Sequence, residues 1–429
     1  MKKKPILIIQ PGPLHLFWVT GVYYLWALKN KYYFVILVDN DYLKSNRFKK
    51  VIKYFDIKHI HYQKKEKGFR LISHFLSTYK KIFKKFRPRK ILMHNNSFIE
   101  NQCLMHIAKN QDYTIDIFNY QNGRESLNMK NDRSIVTNYE TIFFYNKYKF
   151  LRYFPKISLY LAKLKQLSRY YYYYKIIPFF LTGEVFTPSF NIFSGEANKI
   201  KNNNPYKLIK KYFVYLEVEA KIYREIEAGN ITEFEYSNCE IINHPLYTYG
   251  KQANNILYGK IIVKNKILIA PSAGLIGSLG VGLADNIITN FIADKYIDSI
   301  KILLKKFPNY SIIFKLHPND TSDNLWISII DKISQKIKNI EFIKKNINIE
   351  KLILESRIIV SDVSSVLWWT IFLKNKTAIS LDVFNLVKGD EMLGYEPSVH
   401  YINNLNKLKK TNFFKKIKIT NRKSITKFI

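Results

Sequence analysis

The sequence predicts an α/β protein made of two successive series of parallel βαβ units. Three observations predict it. Short apolar runs alternate with helix-length amphipathic ones in the N-terminal part, and the same alternation restarts more regularly at Lys266. The 429-residue length also exceeds one ordinary core, since a domain usually takes roughly 100–200 residues.

In the N-terminal series PILIIQ, YFVILVDN, KHIHYQ, KILMHNN and TIDIFNYQNG read as buried strands. TGVYYLWALKN and FRLISHFLSTYKKIFKKF read as the helices between them. From about residue 145 to 190 the chain turns Tyr- and Lys-rich, with Tyr170–Tyr174 consecutive and no acidic side chain between Glu140 and Glu184. A basic helical insertion over about 145–235 is expected there. VYLEVEAKIYREIEAGNITEFEY restores acidic residues, and INHPLYTYGKQANN supplies the Pro, Gly and Asn of a linker, so the first domain spans 1–255.

The second series runs as strand KILIAPS, helix NIITNFIADKYIDSIKILLKKF, strand YSIIFKLHP, helix NLWISIIDKISQKIK, strand IEFIKK, helix NIEKLILES, strand RIIVSD, helix SSVLWWTIFLKN and strand TAISLD. It sets a second domain at 256–400. Residues 401–429 form a basic, aromatic tail that reads equally as a returning helix, a membrane-surface arm or a frayed end.

Hydrophobic residues make up 47% of the chain along its whole length, which provides for a buried core and argues against disorder. The net charge of +36, from 69 basic and 33 acidic residues, points to an anionic partner: a phosphate-bearing substrate, an acidic polysaccharide, a membrane surface or nucleic acid. Heavy use of Lys, Asn and Ile also follows from an AT-rich coding sequence, which lessens the weight of the charge. Cys103 and Cys239 lie far apart without metal-type spacing, which fits a reducing cytoplasm and neither a disulfide framework nor a metal site. The apolar run of MKKKPILIIQPGPLHLF breaks at Pro11, Gly12 and Pro13, as a first strand and loop would and a signal peptide would not. IIPFFLTGEVF and VLWWTIFL fall short of the roughly 18–20 apolar residues of a spanning helix, so any contact with the inner membrane is expected to be peripheral.

Three loops of the second series carry the chemistry. In YSIIFKLHPND a strand ends at Lys315, Leu316, His317 and Pro318, where an open parallel sheet presents ligands. Pro318 cannot continue the ladder, so the chain turns there, and His317 with Lys315 offers donors to a phosphate; alone, the pair equally suits a capped strand end. In RIIVSDVSSVLWW a strand ends at Ser361 and Asp362, and Ser364 and Ser365 open a helix whose first N–H groups suit either an ordinary cap or an anion. In AGLIGSLG the spacing of Gly274, Gly277 and Gly280 is not that of a dinucleotide fingerprint, and Ser272 and Gly274 are candidates to approach a phosphate or sugar. Asp390, Glu391 and Tyr395 follow the last strand as candidates for the donor sugar or ribose.

Taken together, His317-Pro318 and Ser364-Ser365 give the last third of the chain a resemblance to the bacterial capsule enzymes of GT-B fold: polysialyltransferases, capsule Kdo transferases and CDP-glycerol glycerophosphotransferases. The resemblance implies two Rossmann-like domains facing an interdomain cleft, with acceptor in the first and nucleotide in the second. It also implies that His317, Ser364 and Ser365 hold the phosphate of a cytidine nucleotide. In the first domain the family shows an acidic pair or Gln-His before a Gly, where this chain has Gln121-Asn122-Gly123 followed by Arg124 and Glu125. Gln121, Asn122 and Arg124 are therefore candidates for acceptor binding. Glu125 and His15 are rival candidates for the base that takes the acceptor proton, each also open to a structural role.

The expected activity is a metal-independent transfer of a sugar, a nonulosonic acid or Kdo, from a CMP-linked donor to a bacterial surface glycan. The resemblance, not any residue read here, suggests the cytidine. Partners are a nucleotide-sugar donor, an anionic or lipid-linked glycan acceptor and an anionic membrane surface; no further cofactor and no nucleic acid are expected. The rival readings are transfer of glycerol phosphate from a CDP donor on the same fold, and a noncatalytic binder of nucleic acid or membrane exploiting the charge.

Overall fold

The computed structural model describes residues 4–63, 69–94, 99–121, 157, 161, 208–220, 239–272, 275–276, 285–321, 323–344, 347–362, 364–384, 398–413 and 423–429. They form two compact units.

The first unit carries a seven-stranded sheet of β1 (Ile6–Gln10), β2 (Tyr33–Asp39), β3 (His59–Gln63), β4 (Lys90–His94), β5 (Asp116–Tyr120), β6 (Ile209–Val214) and β7 (Cys239–Ile241), in the order β3-β2-β1-β4-β5-β6-β7. Every pairing in it is parallel. Its described helices are α1 (Leu14–Leu16), which continues through a π turn at Phe17–Gly21 into α2 (Val22–Leu28), then α3 (Asn46–Tyr54), α4 (Phe69–Phe86), α5 (Ile99–Lys109) and α6 (Pro245–Tyr258). The apolar stripe of α4, with Phe75, Tyr79 and Phe83, and Leu104 and Ile107 of α5 close one face over Ile8, Val35, Ile91 and Ile117. Cys103 and Cys239 are both free and buried.

The second unit repeats the plan with β8 (Lys264–Ile269), β9 (Ser311–Lys315), β10 (Ile340–Ile343), β11 (Ser356–Ser361), β12 (Thr377–Leu381) and β13 (His400–Ile402), ordered β10-β9-β8-β11-β12-β13 and parallel throughout. Its described helices are α7 (Asp285–Lys306), α8 (Asn324–Lys336), α9 (Ile349–Glu355), α10 (Ser365–Thr370) and α11 (Leu405–Lys410). Tyr296 and Ile300 of α7, Trp326 and Ile330 of α8 and Leu408 of α11 bury Ile267, Phe314, Ile358 and Ile379 of the sheet. Both sheets thus have the doubly wound order, in which the strand sequence reverses at a switch point: between β1 and β4 in one, between β8 and β11 in the other.

Three sequence expectations change in the structure. INHPLYTYGKQANN is not a linker. His244 caps α6, its Nδ1 accepting from the Leu246 amide at 3.0 Å, Pro245 sits at the first helical position, and the helix buries Leu246, Ala253 and Leu257. The chain leaves the first unit after α6, where Gly259 adopts φ +78° and Ile262 is 61% exposed. Within the expected insertion of 145–235, Ile209–Val214 is instead the core strand β6, paired with β5; most of the Tyr-rich stretch lies outside the described residues. The tail from residue 401 is not a free arm. β13 and α11 complete the second unit, while the last residues return to the first, where Lys31 donates to the carbonyls of Thr426 and, at 3.0 Å, Ile429, and the Phe428 ring lies 5.8 Å from that of Phe213. Burying Ile425 and Ile429, with Phe428 half-buried beside them, gives the segment a reason to dock.

Candidate active site

Because the strands of the second sheet are parallel, the residues that follow β8, β9 and β11 emerge along one edge. β9 ends on Phe314 and Lys315, both buried, and the Leu316 amide prolongs the pairing with a bond to the Ile343 carbonyl at 3.2 Å. The chain then turns. Pro318–Asp320 forms a 3₁₀ turn closed by the Asp320 amide on the His317 carbonyl at 2.9 Å, which leaves the His317 side chain half-buried at the sheet edge. Lys315, read from the sequence as a second cation for phosphate, is 2% exposed, and its amine donates to the Leu316 carbonyl at 2.6 Å. Burial pulls its pKa below the usual lysine range.

Ser364 caps α10, its hydroxyl accepting from the Val366 amide at 3.3 Å, while Ser365 opens the helix and is exposed. α10 spans six residues, so its dipole is small and any anion here would be met mainly by hydroxyl and N–H groups. Between β8 and β11 the chain is tied across the switch point. Asp362, 1% exposed, accepts from the Ser272 amide at 2.8 Å and from the Ser272 hydroxyl at 2.6 Å. The Ser361 hydroxyl donates to the Ala270 carbonyl at 2.5 Å, and Ser380 on β12 donates to the Asp362 carbonyl at 2.8 Å. Burial pushes the Asp362 carboxyl above the usual carboxylate range, while the bonds from Ser272 pull it down. The structure therefore brings Ser272, His317, Ser364 and Ser365 to one edge of one sheet. Gly274, Gly277, Gly280, Asp390, Glu391 and Tyr395 lie outside the described residues.

The first unit has a bridge of the same kind at its own switch point. Gln10, last residue of β1, and His94, last residue of β4, are buried and bonded at 3.2 Å. Gln121 is buried where β5 ends: its amide donates to the Phe213 carbonyl at 3.0 Å, and its carbonyl accepts from the Tyr215 hydroxyl at 3.3 Å. His15 is exposed on α1, near enough for its charge to help lower the pKa of His94. Asn122, Arg124 and Glu125 lie outside the described residues. Sequence reasoning passed over Gln10, His94 and His244, although a polar residue closing an apolar strand, as in ILIIQ and KILMH, is a usable signal. Among the described residues no group of three or more His, Cys, Asp or Glu side chains converges as metal ligands, and no helix is long and apolar enough to cross a membrane.

Residues 290–382, from α7 to the end of β12, match the family model of alpha-2,8-polysialyltransferase. The matched span contains His317, Asp362, Ser364 and Ser365. No curated protein matches the chain in sequence. Among solved structures the chain is similar to UDP-GlcNAc 2-epimerase from Methanocaldococcus jannaschii, at 13% identity and a TM-score of 0.55 over 95% of this chain and 91% of that one. It is also similar to a UDP-N-acetylglucosamine 2-epimerase at 10% identity and a TM-score of 0.53, over 96% of this chain and 86% of the other. At such identities the likeness is one of fold, and it extends over both units. The polysialyltransferase pattern thus lies on the second of two doubly wound sheets, in a chain of GT-B-like fold.

Proposed function

We propose that the protein transfers a nonulosonic acid or Kdo from its CMP-linked form to a hydroxyl of a bacterial surface glycan, without a divalent metal. The observation that carries this reading is the coincidence of the polysialyltransferase pattern on residues 290–382 with a sheet edge that gathers His317, Ser364 and Ser365. In the transfer, the acceptor oxygen attacks the anomeric carbon, the bond from that carbon to the phosphate oxygen breaks, and CMP leaves with the electron pair. His317 donates a proton or hydrogen bond to the phosphate as charge develops, and the Ser364–Ser365 turn receives another phosphate oxygen. Glu125 takes the acceptor proton, with His15 as its rival in that role. The +36 charge suits an anionic acceptor and a peripheral position on anionic lipid.

The experiment is a donor panel of CMP-sialic acid, CMP-Kdo, CDP-glycerol and UDP-GlcNAc with oligosaccharide acceptors, read by nucleotide release and product mass, with and without EDTA. Acceptor-dependent CMP release that survives EDTA is expected. Glycerol phosphate transfer, or conversion of UDP-GlcNAc without acceptor, would overturn the proposal, and strict dependence on Mg²⁺ or Mn²⁺ would overturn its metal-free part.

A further inference from the structure

At the switch point of the second sheet the connections that follow β8 and β11 depart in opposite directions. The pairing ends with the Ala270 amide on the Val360 carbonyl at 2.8 Å and the Ser361 hydroxyl on the Ala270 carbonyl. Beyond it, the Asp362 side chain joins the two connections. Asp362 presents one carboxylate oxygen to the Ser272 amide at 2.8 Å and the other to the Ser272 hydroxyl at 2.6 Å. Asp362 is itself fixed. Its carbonyl accepts from Ser380 at 2.8 Å, the neighbouring Ser361 is tied to the Ala270 carbonyl, and its side chain is buried. The only hydroxyl proton of Ser272 is committed to the carboxylate, so Ser272 is a poor donor to a phosphate and acts through its position.

We propose that Asp362 is a positioning residue for the donor site: by holding Ser272 it fixes Ala270–Ser272, where the chain leaves β8, beside the end of β11 that leads to Ser364 and Ser365. The inference rests on the donor-site reading given above. A carboxylate suits the task because both its oxygens accept, and the two protons of Ser272 come from one residue in fixed relation. An asparagine can keep the pair in place by accepting from the Ser272 amide and donating to a rotated Ser272 hydroxyl. An alanine can do neither, and it leaves the two connections joined only at Ala270, through the Val360 carbonyl and the Ser361 hydroxyl.

The test compares Asp362→Ala, Asp362→Asn, Ser272→Ala and His317→Ala with the unaltered chain, by calorimetric titration with CMP, by donor KM and kcat, and by thermal melting. Asp362→Ala is expected to weaken CMP binding and raise the donor KM about tenfold, the loss of one or two hydrogen bonds, with kcat at saturating donor within about threefold. Asp362→Asn is expected to restore affinity to within about threefold, and Ser272→Ala to fall between. If Asp362→Ala does not fold, Ser272→Ala and Asp362→Asn carry the test, and unchanged affinity in Ser272→Ala overturns the inference. A lower melting temperature with unaltered CMP affinity in Asp362→Ala makes the contact structural and also overturns it. If His317→Ala loses CMP while the Asp362 and Ser272 variants keep it, the positioning role falls and the donor reading stands; no CMP binding by the unaltered chain overturns both.

Discussion

The side-chain oxygen of Gln10 accepts from two partners at once: the Gly12 amide at 3.1 Å and the ring nitrogen Nδ1 of His94 at 3.2 Å. An amide oxygen only accepts, so this bond suits the His94 tautomer protonated on Nδ1, with the ring against Gly12 in the turn that follows β1. Gly12 makes this possible. It adopts φ +75°, its carbonyl accepts from the Tyr42 hydroxyl, and a Cβ placed on it would stand 1.9 Å from His94 Cε1.

Gly12→Ala is therefore expected to cost about 3 kcal/mol or more, combining a backbone conformation that L side chains avoid with a steric overlap inside a buried site. The urea midpoint should fall while the slope of the transition stays the same. Shrinking the ring relieves the overlap, so Gly12→Ala/His94→Ala should lose clearly less than the sum of the two single changes. Strict additivity would show that the ring and the Gly12 Cα do not oppose each other.

The burial that fixes His94 also makes it sensitive to acid. Burial lowers its pKa from 6.5 to about 3, partly offset by a hydrogen bond with the Gln10 backbone and assisted by His15; His244, buried in the same unit, is also lowered well below the usual histidine range, by burial alone. A histidine with a depressed pKa binds fewer protons folded than unfolded. Its contribution to stability is fully present above pH 6.5 and is lost as pH falls toward 3. Each such histidine gives a slope of up to about 1.4 kcal/mol per pH unit in that window. Asp362 and Glu100, raised by burial, have the opposite sign: each stabilises below the ordinary carboxylate pKa and loses that contribution as pH rises through its folded value. The useful quantity is therefore the difference between the unaltered chain and His94→Asn. Urea midpoints at pH 7.5 and 5 should show the variant losing less on acidification, and parallel losses would remove His94 from the account.

How much of this was legible beforehand follows from what each signal depends on. β2 reads YFVILVD and β11 reads SRIIVS because a strand covered on both faces has no polar face, and such runs stand out unaided. α6 did not stand out, since Pro, Gly and Asn in INHPLYTYGKQANN suit a loop as well; only the tertiary bonds from His244 and the burial of Leu246, Ala253 and Leu257 select the helix. His317 and the Ser pair were found as local motifs. The bond of Ser272 to Asp362 was not, because it joins residues 90 apart in the chain, and strand order rather than spacing brings them together.

At the proposed donor edge His317 and Ser364 should separate by readout. His317 is half-buried on a turn that its carbonyl closes, so His317→Ala keeps that backbone bond and should weaken CMP binding roughly ten- to hundredfold. Ser364 also caps α10 through the Val366 amide, so Ser364→Ala should weaken CMP binding and cost about 1 kcal/mol of stability besides. Ser364→Asp, which caps but repels phosphate, should keep the melting temperature while still losing CMP. Unchanged CMP affinity in both His317→Ala and Ser364→Asp would remove the phosphate site from this edge.

Lys315 tests whether a cation next to a motif belongs to it. The last residue of β9 looks well placed to neutralise phosphate, yet its amine is buried, donates to the Leu316 carbonyl at 2.6 Å and is drawn by burial toward the uncharged form. A buried amine bonded to backbone stabilises the turn that carries His317 and contributes little field to a ligand outside it, since reaching the ligand would mean giving up that bond. Lys315→Met keeps the length and apolar bulk of the side chain. It should leave CMP affinity within about twofold, while leaving the Leu316 carbonyl without this donor at a stability cost of about 1–3 kcal/mol. A phosphate-binding lysine would behave oppositely: CMP affinity would fall tenfold or more in Lys315→Met while the urea midpoint stayed where it was. Titration with CMP alongside urea unfolding of the same preparation distinguishes the two roles.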